Sequence, residues 1–283
     1  MSIRSVITSL EQSVSAYPSK EAFLHRCRVE LEPFVYSYLK QTYGAVLSAY
    51  WDSCTIPLVS TKAIVVVERR CHPNLEFTLQ NAVYFARGYS LHVICSEANR
   101  TFVEEVCGSQ VASVHIHVAY TDIGTVESGK REYNALLKTY GFWTTFTEDY
   151  LLCMETDSYL LRPIPPIVYD YRYVASLWHW IPDQAGGGGI THRKRSFMEE
   201  ICRIEALQKI EMQDVFASEG LLLKGYPFVN DIFAETRISH ATVGTHQWWT
   251  FACGVPPAHR KEYISFLLTL EIDSTSLPGN SLP

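Results

Sequence analysis

A chain of 283 residues, 47% hydrophobic and 19% charged, can bury a full core, which excludes an intrinsically disordered polymer. Its net charge of −6 and one short basic cluster, "HRKRS" at 192–196, provide no basic stripe for phosphate backbones, so no nucleic-acid partner is expected. The eight cysteines form no CxxC pair, the N-terminus lacks an apolar leader, and no run approaches the ~20 apolar residues of a membrane span; these features predict a soluble, cytoplasmic protein with free buried thiols.

Residues 19–43 carry apolar side chains at 24, 27, 31, 34, 35, 38 and 39. That spacing predicts a helix with Ser19 as N-cap, Gly44 as stop and a kink or break at Pro33. Residues 1–60 are read as a helical N-terminal extension. From 61 the rhythm changes, and 61–270 is read as the main domain. "AIVVV" (63–67) predicts a strand, "NLEFTLQNAVYFAR" (74–87) a helix, "LHVIC" (91–95) a strand and "RTFVEEVCG" a helix. "VHIHVAY" (114–120) is the next strand, 129–146 a longer helix, and "YLLCMETD" a fourth strand ending on acids. Short apolar strands alternating with helices predict an α/β fold with a mostly parallel sheet. In such sheets ligands bind beyond the carboxyl ends of the strands. Past Arg162 the alternation gives way to Pro-rich and aromatic segments, and 271–283 has the composition of a disordered tail.

Four constellations could carry chemistry. Glu155 and Asp157 stand two apart, so on an extended segment both face one side. A hard divalent cation, Mn2+ or Mg2+, would suit them; a solvated strand end explains the doublet as well. Gly186 to Gly189 allow positive φ and close ligand approach, and Arg193 and Lys194 at a following helix start would favour anions; a flexible loop is the alternative. Asp214 beside Val215 and Phe216 could project as a general base or merely flank a helix. His246 lies among aromatics after a glycine, as a ligand or as a core imidazole. His115 and His117 share a strand face without a third ligand nearby and read as its polar side. GxSxG, HExxH, GxGxxG and Walker A motifs are absent, against serine hydrolases, zincins, dinucleotide enzymes and P-loop kinases.

In order, "VVVERRCHPNLEFTLQN", "YNALLKTYGFW", "ETDSYLL", "YDYRYVASLWHW", "GGGGITHRKRSFM", "QDVFAS" and "GTHQWW" resemble a family of uncharacterised glycosyltransferases with a GT-A fold. Its runs read E-x-R-x-H-P-N-L-E-F, Y-N-x-L-L, Q-T-D-S, G-N-G-G-L-S-L-R, E-D-V and H-x-x-W. The resemblance covers about Ala63 to Phe251.

The resemblance implies a metal-dependent hexosyl- or pentosyltransferase that moves a sugar from a nucleotide-sugar donor, by default UDP-linked, to a carbohydrate or glycoconjugate acceptor. It implies a Mn2+ or Mg2+ ion on Glu155, Asp157 and His246. Glu68, Arg70, Thr156, Asp157, Gly188 and Gly189 would surround the donor nucleotide. Asp214 would be the base of an inverting reaction. Trp178, His179, Trp180 and Trp249 would floor a sugar pocket, with core packing as the bland alternative. The chain departs from the pattern at three places: Glu155 stands where Gln is usual, Gly187 where Asn is common, and Gln213 where Glu is. A catalytically silent nucleotide-sugar or glycan-binding module, or a nucleotidyltransferase, stays open beside this reading.

Overall fold

The computed structural model describes residues 20–178, 181–229, 232–235, 241–247 and 249. Four parallel strands form the centre of an α/β fold: β1 (Lys62–Val67), β2 (Ser90–Ser96), β3 (Val114–Tyr120) and β4 (Tyr150–Met154), in spatial order β3-β2-β1-β4. β7 (Ile181–Lys194) joins β4 antiparallel, and β6 (Tyr173–Trp178) closes the edge against β7. The sheet is mostly parallel, as the alternation predicts. Between β4 and β6 the chain adds β5 (Ser158–Leu160), which pairs with β9 (Gly244–His246) and, through it, β8 (Phe233–Ala234) in a small second sheet.

Successive strand residues point to opposite faces, and each central strand divides its side chains between two cores. Ile64, Val66, Leu152 and Met154 pack with residues of α2 (Leu75–Phe85) and α3 (Arg100–Cys107). Ala63, Val65, Leu151 and Cys153 pack with α5 (Tyr140–Trp143), α6 (Arg195–Cys202) and α7 (Gln213–Leu223). Burial on both faces is why β1 and β4 read as continuous apolar runs.

Two helical boundaries differ from the sequence reading. α1 spans Lys20–Ser53 as one helix, neither split at Pro33 nor stopped at Gly44. Leu31, Val35, Leu39, Leu47 and Trp51 lie buried in the first core, on both sides of each breaker. Their burial, at roughly 1.5–3 kcal/mol for each large side chain, outweighs about 3 kcal/mol for an interior proline and about 1 for the glycine. Trp51 Nε1 donates to the Cys107 carbonyl at 3.3 Å, fixing α1 to the end of α3. The helix expected over 129–146 is two, α4 (Val126–Leu136) and α5. Thr139 breaks it by capping α5: its Oγ1 accepts from Phe142 N–H at 3.3 Å. Residues 1–19 and the tail 271–283 lie outside the described residues. No described helix is long and apolar enough to cross a membrane.

His115 and His117 do more than form a polar face. His92, from the neighbouring strand, places Nε2 at 2.9 Å from Glu148 Oε1 and Nδ1 at 3.0 Å from His117 Nε2. The His115 ring stacks on His92 with centroids 4.4 Å apart. An ionised carboxylate only accepts, so His92 donates from Nε2 and, when neutral, accepts at Nδ1 from His117. Ser90 Oγ also donates to Glu148, and these bonds hold the Glu148 carboxyl below its usual range although burial pushes it up.

Burial pushes the His92 imidazole down from 6.5 to about 4, with Glu148 opposing. Between those values the unfolded chain binds more protons than the folded one, so stability is present above pH 6.5 and is lost as the pH falls towards 4. A depression of this size corresponds to about 3 kcal/mol. Urea melts between pH 7 and 4.5 should show that loss, and His92→Gln should flatten the slope by about 1.4 kcal/mol per pH unit. An unchanged slope in the variant would assign the acid sensitivity to another group.

Candidate metal centre

The last rung between β4 and β7 is Glu155 N–H to the Gly189 carbonyl, at 2.8 Å. The chain then turns. Ser158 donates to the Glu155 carbonyl from both N–H (3.0 Å) and Oγ (2.7 Å). Asn74, which precedes α2, and Thr78 in its first turn hold this turn: Asn74 Nδ2 and Thr78 Oγ1 both donate to the Thr156 carbonyl, at 2.7 and 3.3 Å. Glu155 and Asp157 therefore converge through a tight turn, not through the alternation of an extended strand.

β9 brings the third member. Its pairing sets His246 opposite Ser158, and Gln247 N–H donates to the Asp157 carbonyl at 3.1 Å. Gln247 adopts φ 45°, a left-handed conformation uncommon outside glycine, and its amide also donates to the Asp157 carboxylate. His246 Nε2 then lies 3.4 Å from Asp157 Oδ1 and 3.8 Å from Glu155 Oε2. One donor atom from each of Glu155, Asp157 and His246 falls within 4.8 Å of the others. Asp157 Oδ1 and His246 Nε2 are buried and make no hydrogen bond. Two carboxylate oxygens and an imidazole nitrogen fit a divalent cation that keeps other positions for water or substrate oxygens.

The electrostatics point the same way. Burial first, then the Asp157 charge, push the Glu155 carboxyl well up, with His246 opposing. Burial also raises Asp157, but the adjacent His246 charge and a hydrogen bond from Gln247 hold it below the usual carboxylate range. Burial alone would lower His246; Asp157 and Glu235 push it well above its ordinary value. Glu235 is the residue that sequence reasoning missed. Its Oε1 lies 2.9 Å from His246 Nδ1, and it is buried. Its only sequence neighbours of note are the two residues of β8, too short a strand to show periodicity.

The glycine run is not a loop. Gly187, Gly188 and Gly189 lie inside β7 without positive φ. They are small because of what they face. A Cβ at Gly187 would sit 2.5 Å from Glu235 Oε1, one at Gly188 would meet Gln213 Nε2 and lie 3.1 Å from Asp214 Cβ, and one at Gly189 would overlap the His246 ring. Asp214 stands in the first turn of α7, where Val215 N–H donates to its Oδ1 at 2.9 Å. Burial pushes its carboxyl up; Arg193 pulls it down and Glu235 adds to the rise. Asn134 of α4 positions this helix start, its Oδ1 accepting from Gln213 N–H at 2.8 Å.

Arg193 and Lys194 are engaged within the protein. Arg193 is fully buried, donates to Thr191 Oγ1 (2.7 Å) and Gln213 Oε1 (2.6 Å), and lies over the Trp143 and Tyr173 rings. Lys194 lies over Tyr150, 5.6 Å from its centroid. On the other side of the turn, Arg70 clasps buried Glu68 with Nε at 2.8 Å and a terminal nitrogen at 2.7 Å. Thr156 Oγ1 donates to the same Glu68 carboxylate at 3.1 Å, joining the ends of β1 and β4. Arg70 also feels the Asp157 charge.

Of the residues expected to floor a sugar pocket, Trp249 is the one whose side chain is described. Trp249 is fully buried, with its ring edge-on to Tyr36 of α1 at 5.7 Å and Nε1 3.3 Å from Glu32 Oε2, so it belongs to the core. Trp178 ends β6, and its side chain, like all of His179 and Trp180, lies outside the described residues. A cavity of about 270 Å3 lined by Lys62, Arg87, Tyr89 and Tyr169 sits at the opposite ends of the strands. Its Lys62 and Arg87 are already set over tyrosine rings.

A family profile described as "Protein of unknown function (DUF5672)" matches residues 115–249. That span contains Glu155, Asp157, Asp214, Glu235 and His246. No curated protein matches the chain.

The close approach at Gly189 gives a direct test. Gly189→Ala must displace the His246 ring and should destabilise the chain by about 1–3 kcal/mol in urea melts, the range for overpacking. Gly141→Ala, with open space at its Cβ, serves as the near-neutral control. Equal melts for the two variants would contradict the packing described.

Proposed function

We propose that this chain is a metal-dependent glycosyltransferase of the GT-A type, taking a nucleotide-sugar donor, by default UDP-linked, and a hydroxyl acceptor on a glycan or glycoconjugate. The observation that carries the reading is one convergence: two carboxylates beyond the central strand β4 meet His246 and, across Gly188, face a fourth element that presents Asp214. Ligands of parallel α/β sheets bind at that end of the strands.

Asp157, Glu155 and His246 would hold the cation, Mn2+ or Mg2+. When bound, such an ion neutralises the charge that develops on a departing nucleoside diphosphate. Asp157 is the strongest anion of the set, held ionised by His246 and Gln247. Glu155, whose carboxyl is pushed up by burial and by Asp157, shares the site with it. Glu68 and Arg70, already locked to each other and to Thr156, would flank the nucleoside at the end of β1. Asp214 would accept the proton of the acceptor hydroxyl. Burial raises its carboxyl, which makes the carboxylate a better base than a solvated aspartate. Attack from the face opposite the leaving group would then invert the anomeric centre through an oxocarbenium-like transition state.

Two measurements test these roles separately. Asp157→Ala should lose Mn2+-dependent binding of UDP in calorimetry, and unchanged binding would reject its place in the metal site. Asp214→Asn should bind the donor as the wild type does and lose turnover by on the order of 10²-fold or more. Wild-type rates in that variant would assign the proton transfer to another group.

A further inference from the structure

We infer that Glu235 is the positioning residue of the metal centre: its carboxylate fixes the His246 ring so that Nε2, and not Nδ1, is offered to the cation. This rests on the metal reading above and adds to it a residue outside the E-x-D and His positions. Three independent features of the fold support it.

The first is hydrogen-bond chemistry. Glu235 Oε1 lies 2.9 Å from His246 Nδ1, and a carboxylate can only accept, so the proton on Nδ1 is fixed. A metal-bound imidazole has one nitrogen for the metal and one N–H for an outer acceptor, and the acceptor sets which is which. The free nitrogen is then Nε2, the atom that lies 3.4 Å from Asp157 Oδ1 and 3.8 Å from Glu155 Oε2 without a hydrogen bond.

The second is register. β8 and β9 pair in parallel through Phe233–Gly244 and Ala234–Thr245, and Thr245 Oγ1 donates to the Ala234 carbonyl at 2.9 Å. One step further along the same pairing sets Glu235 beside His246. The contact is therefore imposed by the backbone of two strands, not by a chance rotamer of a long side chain.

The third is space. Gly187 and Gly189 are next-but-one neighbours on β7, and each faces one member of the bonded Glu235–His246 pair. A Cβ at Gly187 would press on Glu235 Oε1 at 2.5 Å and on Ser176 Oγ, and a Cβ at Gly189 would overlap the His246 ring. The strand is thus cleared twice, once for each partner of the pair. Gly187 is the seat of the carboxylate as Gly189 is the seat of the imidazole.

The experiment is a Mn2+ titration of the full chain followed by the electron paramagnetic resonance of free Mn2+, for wild type, Glu235→Gln and Glu235→Asp. The wild type should bind one ion. Glu235→Gln, whose amide can present an N–H to the ring and so turn Nε2 into the protonated nitrogen, should bind about 10- to 100-fold more weakly. Glu235→Asp, which keeps an acceptor-only group, should recover part of that loss. Ring-nitrogen NMR of the Zn2+-loaded wild type supplies a readout that does not depend on any variant folding. It should show His246 protonated at Nδ1 and ligated through Nε2. Wild-type Mn2+ affinity in Glu235→Gln, or ligation through Nδ1, would overturn the positioning role while leaving the metal centre standing. A wild-type chain that binds no Mn2+ would overturn both.

Discussion

One imidazole set among three carboxylates is the constraint on which the rest of the structure depends. Glu155, Asp157 and Glu235 all reach His246 at 3.8 Å or less, in a buried place where like charges repel strongly. Such a cluster persists when a proton, on the ring or on Glu155, or a cation relieves the repulsion. The surrounding architecture holds the four groups together against that repulsion. Asn74 and Thr78 clamp the turn after β4, Gln247 accepts an uncommon backbone conformation to bind Asp157 twice, and three glycines of β7 clear the space. The central sheet supplies the rigidity: β4 is flanked by strands on both sides and buried on both faces, so its end cannot drift.

Two buried polar clusters of this fold are bonded differently. At the C-terminal ends, groups are left underbonded: Asp157 Oδ1 and His246 Nε2 have no hydrogen-bond partner. Towards the N-terminal ends, the His92–His117–Glu148–Ser90 chain satisfies its members among themselves. A network closed on itself has little to offer a ligand and reads as stability. An open one, in which buried donors and acceptors await something, reads as chemistry.

How much of this was legible in the sequence follows from the range of the forces involved. β1 to β4 were readable because periodic burial leaves a local pattern, and β3 was read with its observed limits, Val114–Tyr120. Asp157, Asp214 and His246 were readable as chemical types at plausible places. The rest is tertiary. Nothing local says that a helix will pass through Pro33 and Gly44; the core beneath Leu31 and Trp51 decides it. Glycines in a row suggest a flexible loop, whereas here they lie in a strand whose neighbours crowd it. Glu235 had no signal at all, because its partner is eleven residues away across a pairing of two-residue length. Trp249, set beside His246 in a motif-like run, turned out to fill the core against α1.

The central claim is that the carboxylate–histidine cluster holds a cation that in turn holds a nucleoside diphosphate. A thermal-shift screen of nucleotide sugars, each with and without Mn2+, tests it most directly, because a ligand that binds only the folded state raises Tm by mass action. The account predicts a rise with a UDP-sugar and Mn2+ together that exceeds the sum of the two alone and vanishes in Asp157→Ala. A panel in which no nucleotide sugar shows a Mn2+-dependent shift would contradict it.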